Sequence, residues 1–218
     1  MKKRAYKSNG IKTASAADCL EREEINQLKN YLLSLDLSKP NNLRNFTLVT
    51  FNLNVGLRAG DLLSLPKDLI IKNDQVVNSF AINEQKTGKK RIIELNNTAK
   101  KVIQEYYNTF YAELKNSYWL FPSRKKGKNN GGTQGTGHLA ITSFNRILRE
   151  AHMYSGVNPA LTVSSHFARK SLGSALYEKG IALDQIQNMF NHNKPETTLI
   201  YISVLKRKSQ HLYHEVEL

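Results

Sequence analysis

The sequence predicts an α+β domain, mainly helical, with a small antiparallel three-stranded sheet near its middle. Three observations carry that expectation. Apolar residues recur at helical spacing before residue 65 and again from about residue 98 onward. Three short strand-like runs lie between those stretches, and a Thr87-Gly88 turn separates the second run from the third. Helices, then a small sheet, then helices is the element order of an α+β fold.

The elements follow in order. Residues 1–17 read as a flexible basic arm, carrying Lys2, Lys3, Arg4, Lys7 and Lys12 and no acid. From Asp18 the chain turns helical: Leu20, Ile25, Leu28, Leu32 and Leu35 form a stripe, and Glu21, Glu23 and Glu24 crowd the first turn, where the helix dipole favours acids. A second helix is expected over 41–55, with Pro40 at its entrance and Gly56 as its C-cap. A short helical piece over 58–65 is stopped by Pro66. Strands are expected over 69–71, 76–82 and 91–95, and a long helix over 98–114 with Val102, Ile103, Tyr106, Tyr107 and Phe110 inward. Residues 123–137 combine Arg124, Lys125, Lys126 and Lys128 with five glycines. This is either a loop that lies along a phosphate backbone or a surface insertion. The last third reads as helices over 139–152, 165–179 (capped by Ser164 or Ser165 and ended by Gly180), 183–190 and 196–202. A tail over 203–218 places Leu205, Leu212 and Val216 on one stripe.

Composition narrows the function classes. The 218 residues carry 32 Lys and Arg against 18 Asp and Glu, a formal charge of +14, which points to a polyanionic partner or to a merely soluble basic protein. Apolar runs fall far short of the roughly 20 residues that a membrane helix needs. The single cysteine, Cys19, excludes an internal disulfide framework and a thiolate metal cage and suits a reducing cytoplasm. No apolar segment follows the basic N-terminus as a signal peptide requires, so a cytoplasmic location is expected.

Four segments pair a reactive side chain with a supporting structure. In Gly56-Leu57-Arg58-Ala59-Gly60-Asp61, the carboxylate three residues on can hold the Arg58 guanidinium for bidentate grip on a phosphate, or form an ordinary helix-end ion pair. Lys86 sits on the strand-to-strand turn, where a lysine is otherwise simply solvated. His166 and Arg169 share a helix face near an N-terminus, a good place for an anion. His192 lies on a turn and is followed nine residues later by Tyr201, a residue that elsewhere is a core tyrosine with a polar tip.

The ordered set Gly-Leu-Arg-x-x-Asp, Lys-Thr-Gly, His-x-x-Arg and His with Tyr nine residues on resembles the tyrosine recombinase (phage integrase) family, from about Asp18 to Tyr201. The resemblance implies that family's catalytic-domain fold over 18–202. It implies a catalytic set of Arg58, Lys86, His166, Arg169 and His192, with Tyr201 as nucleophile and Asp61 in support. It further implies a DNA strand-exchange enzyme that works through a covalent 3′-phosphotyrosyl intermediate without ATP. Phe190-Asn191-His192 stands where the family commonly has Leu-Gly-His, and Asn191 is suited to a left-handed turn. Lys170 stands where a histidine commonly follows the second arginine.

The chemistry fits these side chains. A tyrosine hydroxyl, of ordinary pKa about 10, needs cations and a proton acceptor to attack phosphorus. Arg58 and Arg169 would clamp the non-bridging oxygens, and Lys86 would protonate the departing 5′ oxygen. His166 and His192 would share phosphate contact and proton management, the division between them left open. No Asp/Glu cluster suits two Mg²⁺ ions and no Walker loop is present, so no metal or other cofactor is expected. Double-stranded DNA is the expected partner, with Arg124, Lys125, Lys126, Lys128 and Lys170 as non-catalytic contacts and salt-sensitive binding. Self-association on DNA as a dimer or tetramer is expected, with the 203–218 tail docked into a neighbour or packed on its own domain. Integrases of this kind generally carry a helical DNA-clamping domain ahead of the catalytic one. The pattern here begins by residue 18, as expected of a small recombinase without that domain or of a piece of a longer one. Two other readings remain: a catalytically idle DNA-binding accessory protein of the same fold, and a relaxing topoisomerase. Covalent trapping on nicked DNA separates the first, and supercoil relaxation without sequence preference the second.

Overall fold

The computed structural model describes residues 17–123, 137–193 and Thr198. Its helices are α1 (Arg22–Ser34), α2 (Pro40–Val55), α3 (Ala59–Leu63), α4 (Lys67–Ile70), α5 (Asn97–Thr109), α6 (Tyr111–Leu114), α7 (Ile141–Tyr154), α8 (Phe167–Glu178) and α9 (Leu183–Met189). Four short strands lie between α4 and α5: β1 (Ile71–Lys72), β2 (Gln75–Val76), β3 (Ser79–Asn83) and β4 (Lys90–Glu94). The helical α+β class stands.

α2 is the central post. It packs against α1, α5 and α8, and Leu48, Val49 and Phe51 are buried on more than one side of it. Pro40 opens it at a position where a missing N–H costs nothing, and Gly56, at φ 58° and ψ 38°, closes it by donating its N–H to Asn52 O. α1 begins later than the apolar stripe suggests, at Arg22. Glu24 Oε2 accepts the Glu21 N–H at 2.8 Å in a capping box. Residues 17–20 form no helix and lace distant elements together. Asp18 exchanges backbone and carboxylate bonds with Thr162, and Leu20 N–H donates to Ser171 Oγ of α8. Ala17, expected in the arm, is buried; residues 1–16 lie outside the described residues.

The sheet differs from the expected three strands. β1 and β2 form one antiparallel hairpin and β3 and β4 another. Ladder bonds run from Val77 N to Ile70 O and from Leu95 N to Asn78 O, so the run 75–83 changes partner at residues 77–78. Leu69 and Ile70, expected in a strand, belong to the α4 turn. The β1–β2 turn places Asn73 (φ 50°) and Asp74 (φ 60°) in left-handed backbone, the two-residue geometry that matches strand twist. Tyr107 donates to Asp74 Oδ1 at 2.6 Å and so ties that turn to α5. The expected helix over 98–114 is two: Phe110, at φ −117° and ψ 35°, divides α5 from α6, and the Tyr106 ring meets Phe110 and Phe121 there, each at 6.0 Å.

Trp119 and Pro122 are bridged to Pro66 and to His138, and the bend between them buries Leu120 and Phe121 in the core. Ser123 N–H donates to Gly137 O, which draws together the two ends of the basic loop. α8 is capped by neither Ser164 nor Ser165 in the expected way. His166 occupies the N-cap, Ser164 offers its carbonyl to Phe167 N–H, and Ser165 N–H goes to Asn145 Oδ1. Gly180, at φ 80°, ends that helix as expected. The expected helix over 196–202 and the tail over 203–218 lie outside the described residues, Thr198 excepted.

Candidate active site

The site begins at the end of α2. The left-handed turn at Gly56 reverses the chain and puts Arg58 at the N-cap of α3. It also turns the Gly56 carbonyl toward two guanidinium groups: Arg169 Nη1 donates to it at 2.8 Å and Arg91 Nη1 at 3.3 Å. A side chain at Gly56 has no room, because its Cβ would lie 2.8 Å from Leu172 Cδ2 and 3.0 Å from Phe190 Cε1.

Arg169, on the first turn of α8, has no exposed surface. Its Nη2 donates to Phe190 O at 2.6 Å and meets His192 Nε2 at 3.3 Å, and its guanidinium carbon lies 4.4 Å over the Phe190 ring. Phe190, in the place of the family's leucine, therefore serves as an aromatic shelf for the arginine. Asn191 takes φ 50°, the left-handed backbone expected of it, and this turn brings His192 back against α8. Burial, then Arg169 and Arg58, push the His192 imidazole down to about 4, so it is neutral at pH 7. Arginine can only donate, so Nε2 is the acceptor, and the Nδ1 hydrogen then points to Thr198 Oγ1, 2.9 Å away.

The expected Arg58–Asp61 pair does not form. Asp61 Oδ1 accepts the Gln85 N–H at 2.8 Å, while Arg58 Nη1 lies 2.7 Å from Glu84 Oε2. The reason is distance along the fold. Asp61 points from α3 across to the base of the β3–β4 hairpin, and Glu84, the first residue after β3, is the carboxylate that reaches Arg58. The Arg58 contact is a close ion pair without good hydrogen-bond alignment, and its Nη1 has no hydrogen-bond partner among the described residues. Asp61 therefore supports the hairpin and not the guanidinium. Gln85 adds a second tie, from Nε2 to Ser64 Oγ at 2.7 Å.

Lys86 is exposed on that hairpin turn, which closes through Gly88 N–H to Glu84 O with Gly88 at φ 67°. His166 is exposed at the mouth, and its pKa is lowered by partial burial and then by Arg169, Lys170, Lys86 and Arg58, in that order. That list places five of the expected basic groups in one electrostatic neighbourhood. Lys170, expected as a surface DNA contact, is instead buried. The backbone of α8 turns it inward beside Asp18, whose charge opposes a downward shift caused by burial. Tyr201 lies outside the described residues, as do Arg124, Lys125, Lys126 and Lys128.

Two residues of the site were missed from the sequence. Glu84 is buried, and although burial raises its pKa, Arg58, Thr87 and Arg169 together hold it below the ordinary carboxylate value. Arg91 is buried too, donates to Val55 O at 2.9 Å, and is drawn down to about 10 by burial against the pull of Glu84. The available signal was strand alternation: Phe80, Ile82 and Glu84 fall on one side, as do Arg91, Ile93 and Leu95. Arrayed this way, the site offers fixed guanidinium groups, an exposed lysine, one exposed and one buried imidazole, and a compensating carboxylate, a set suited to a phosphodiester.

Comparison with known proteins gives the family and the fold. The model of the phage integrase family matches residues 18–208, most of the chain. The chain belongs to the phage integrase family. The tyrosine recombinase XerD of Rhizobium meliloti is 30% identical over 166 residues, covering 76% of this chain and 49% of that protein. The probable integrase/recombinase YoeC of Bacillus subtilis is 30% identical over 182 residues, 84% of this chain and 86% of that protein. The chain thus spans about half of that XerD and most of YoeC. Among solved structures, the XerH site-specific recombinase bound to palindromic difH substrate aligns with a TM-score of 0.69 at 17% identity, over 95% of this chain and 55% of that one. A lambda integrase dimer bound to a COC′ core site aligns with a TM-score of 0.59 at 18% identity, over 91% of this chain and 62% of that one. These two likenesses establish the fold of the integrase catalytic domain. Among the described residues, no helix is long and apolar enough to cross a membrane.

Proposed function

We propose that the protein is a site-specific DNA recombinase that cuts and rejoins double-stranded DNA through Tyr201. The observation that carries this reading is the gathering of Arg58, Arg169 and His192, from three separate parts of the chain, around the Gly56 turn, with His166 and Lys86 at the mouth. Tyr201 follows Thr198, the hydroxyl partner of His192, by three residues.

The Tyr201 oxygen attacks the scissile phosphorus and its proton passes to a neighbouring base, His166 or a water it orients. The phosphorus–5′-oxygen bond breaks and Lys86 gives the leaving oxygen its proton. The product is a 3′-phosphotyrosyl ester and a free 5′-hydroxyl, and the reverse steps rejoin the strand with no outside energy source. Arg58 stabilises an equatorial oxygen by contact as charge builds, and Arg169, which has no exposed surface, adds its charge from behind it, a donor of this kind being worth on the order of 3 kcal/mol of barrier. His192, neutral, locks Arg169 rather than transferring a proton. The electrostatics of this set suffice without a metal or another cofactor. The excess of cations serves the duplex, and Arg124, Lys125, Lys126 and Lys128 are proposed to track its backbone. Synapsis through self-association on DNA completes the reaction, in the cytoplasm where its substrate lies.

A nicked suicide duplex carrying the target site tests this. Wild type is expected to form a covalent adduct; Tyr201→Phe binds but forms none; Arg169→Ala forms it at least about a hundredfold more slowly. Adduct formation by Tyr201→Phe at the wild-type rate overturns the assignment.

A further inference from the structure

Three arginines share one buried carboxylate. Glu84 Oε2 lies 2.7 Å from Arg58 Nη1, and its Oε1 lies 4.0 Å from both Arg91 Nη1 and Arg169 Nη1, with no side-chain surface exposed. Oε1 accepts no hydrogen bond among the described residues, so its effect on Arg91 and Arg169 is that of a fixed charge at short range.

Glu84 is also the residue on which the hairpin closes. Its N–H donates to Lys89 O, its carbonyl accepts the N–H groups of Thr87 and Gly88, and its Oε2 accepts the Thr87 hydroxyl at 3.0 Å. One residue therefore fixes both the turn that presents Lys86 and the guanidinium of Arg58. Asp61 does not duplicate it, since that carboxylate accepts the Gln85 N–H, while the ion pair of Arg58 is with Glu84.

We infer that Glu84 is a positioning residue for the phosphoryl transfer. It aligns Arg58 and the Lys86 turn with Arg169, and its charge keeps the three guanidinium groups from holding the unreacted phosphate too tightly. The inference rests on the recombinase reading. It separates two quantities that a merely structural role moves together. Removing the negative charge adds net positive charge beside the phosphate and strengthens ground-state binding, while the loss of alignment lowers transition-state stabilisation.

The test uses the full chain, a nicked suicide duplex and an intact duplex of the same sequence. Glu84→Gln keeps size and shape and loses the charge. Its adduct-forming rate constant at saturating DNA is expected to fall by about tenfold or more, while its Kd for the intact duplex stays equal or becomes tighter. Glu84→Asp keeps the charge on a shorter arm and is expected to show wild-type affinity with an intermediate rate. If Glu84→Gln does not fold, Glu84→Asp decides by the same two numbers. A rate within about twofold of wild type, or a rate and an affinity that fall by the same factor, overturns the inference. A wild-type protein that forms no adduct overturns the recombinase reading itself and takes the inference with it.

Discussion

Substituting Gly56 by alanine probes the joint between fold and site. Two costs add. At φ 58° an L-residue pays about 1–2 kcal/mol for left-handed backbone. The new methyl also meets Leu172 Cδ2 at 2.8 Å and Phe190 Cε1 at 3.0 Å. The leucine methyl can turn aside, but the Phe190 ring is held under the Arg169 guanidinium, so the clash is relieved only by moving the site. Overpacking of this kind costs about 1–3 kcal/mol, which makes the sum about 2–5 kcal/mol. Gly180→Ala is the control, because Gly180 has φ 80° and nothing within 4 Å of an added Cβ, leaving the backbone cost alone. Urea unfolding of the three proteins gives the free energies directly. Thermal midpoints should fall by about 2–4 °C per kcal/mol. Gly56→Ala no more destabilised than Gly180→Ala would show that the turn is not packed against Phe190 as described.

Further outcomes are expected. Asn191, at φ 50°, should tolerate Gly with a change within about 0.5 kcal/mol and lose about 1 kcal/mol as Ala, read by the same unfolding assay; equal losses would contradict the left-handed turn. The His192 pKa, lowered to about 4 from an unfolded value of about 6.5, means that the unfolded chain binds the extra proton between those values. Stability should therefore be complete above about pH 6.5 and decline as pH falls toward 4, with a shallower decline in His192→Gln; His166, also lowered, contributes with the same sign, and a stability that rises on acidification from pH 7 to 5 would contradict both. Duplex binding should weaken with salt by about 0.9 log units per phosphate contact per decade, and a flat response would count against backbone contacts.

Much of this was legible because the informative residues punctuate the chain. Pro40, Gly56 and Gly180 mark helix ends by backbone chemistry that does not depend on tertiary packing. The spacings Arg58 to Asp61 and His166 to Arg169 were legible as motifs, but their partners were not. Local spacing suggested that Asp61 holds Arg58, whereas a carboxylate 26 residues beyond the arginine does so across the hairpin. Arg91 opens the expected strand over 91–95 within the basic run Lys89-Lys90-Arg91, where nothing local marks it as buried. The alternation that buries it was masked by Ile92, an apolar residue that faces outward and is 68% exposed. The expected strand over 76–82 read as one because its composition is continuous, and only the change of pairing partner at residues 77–78 divides it. Lys170 is buried by residues 17–20, a segment whose docking on α8 and on the residues before it has no local signature.

The most direct test of the central claim is to map the covalent junction. Wild-type protein is trapped on a nicked suicide duplex, digested with protease and nuclease, and the residual nucleotide-bearing peptide is sequenced by mass spectrometry. The account predicts a single adduct at the Tyr201 oxygen, joined to a 3′-phosphate, with the opposite end a free 5′-hydroxyl. An adduct on another residue, or a 5′-phosphate linkage, would contradict it.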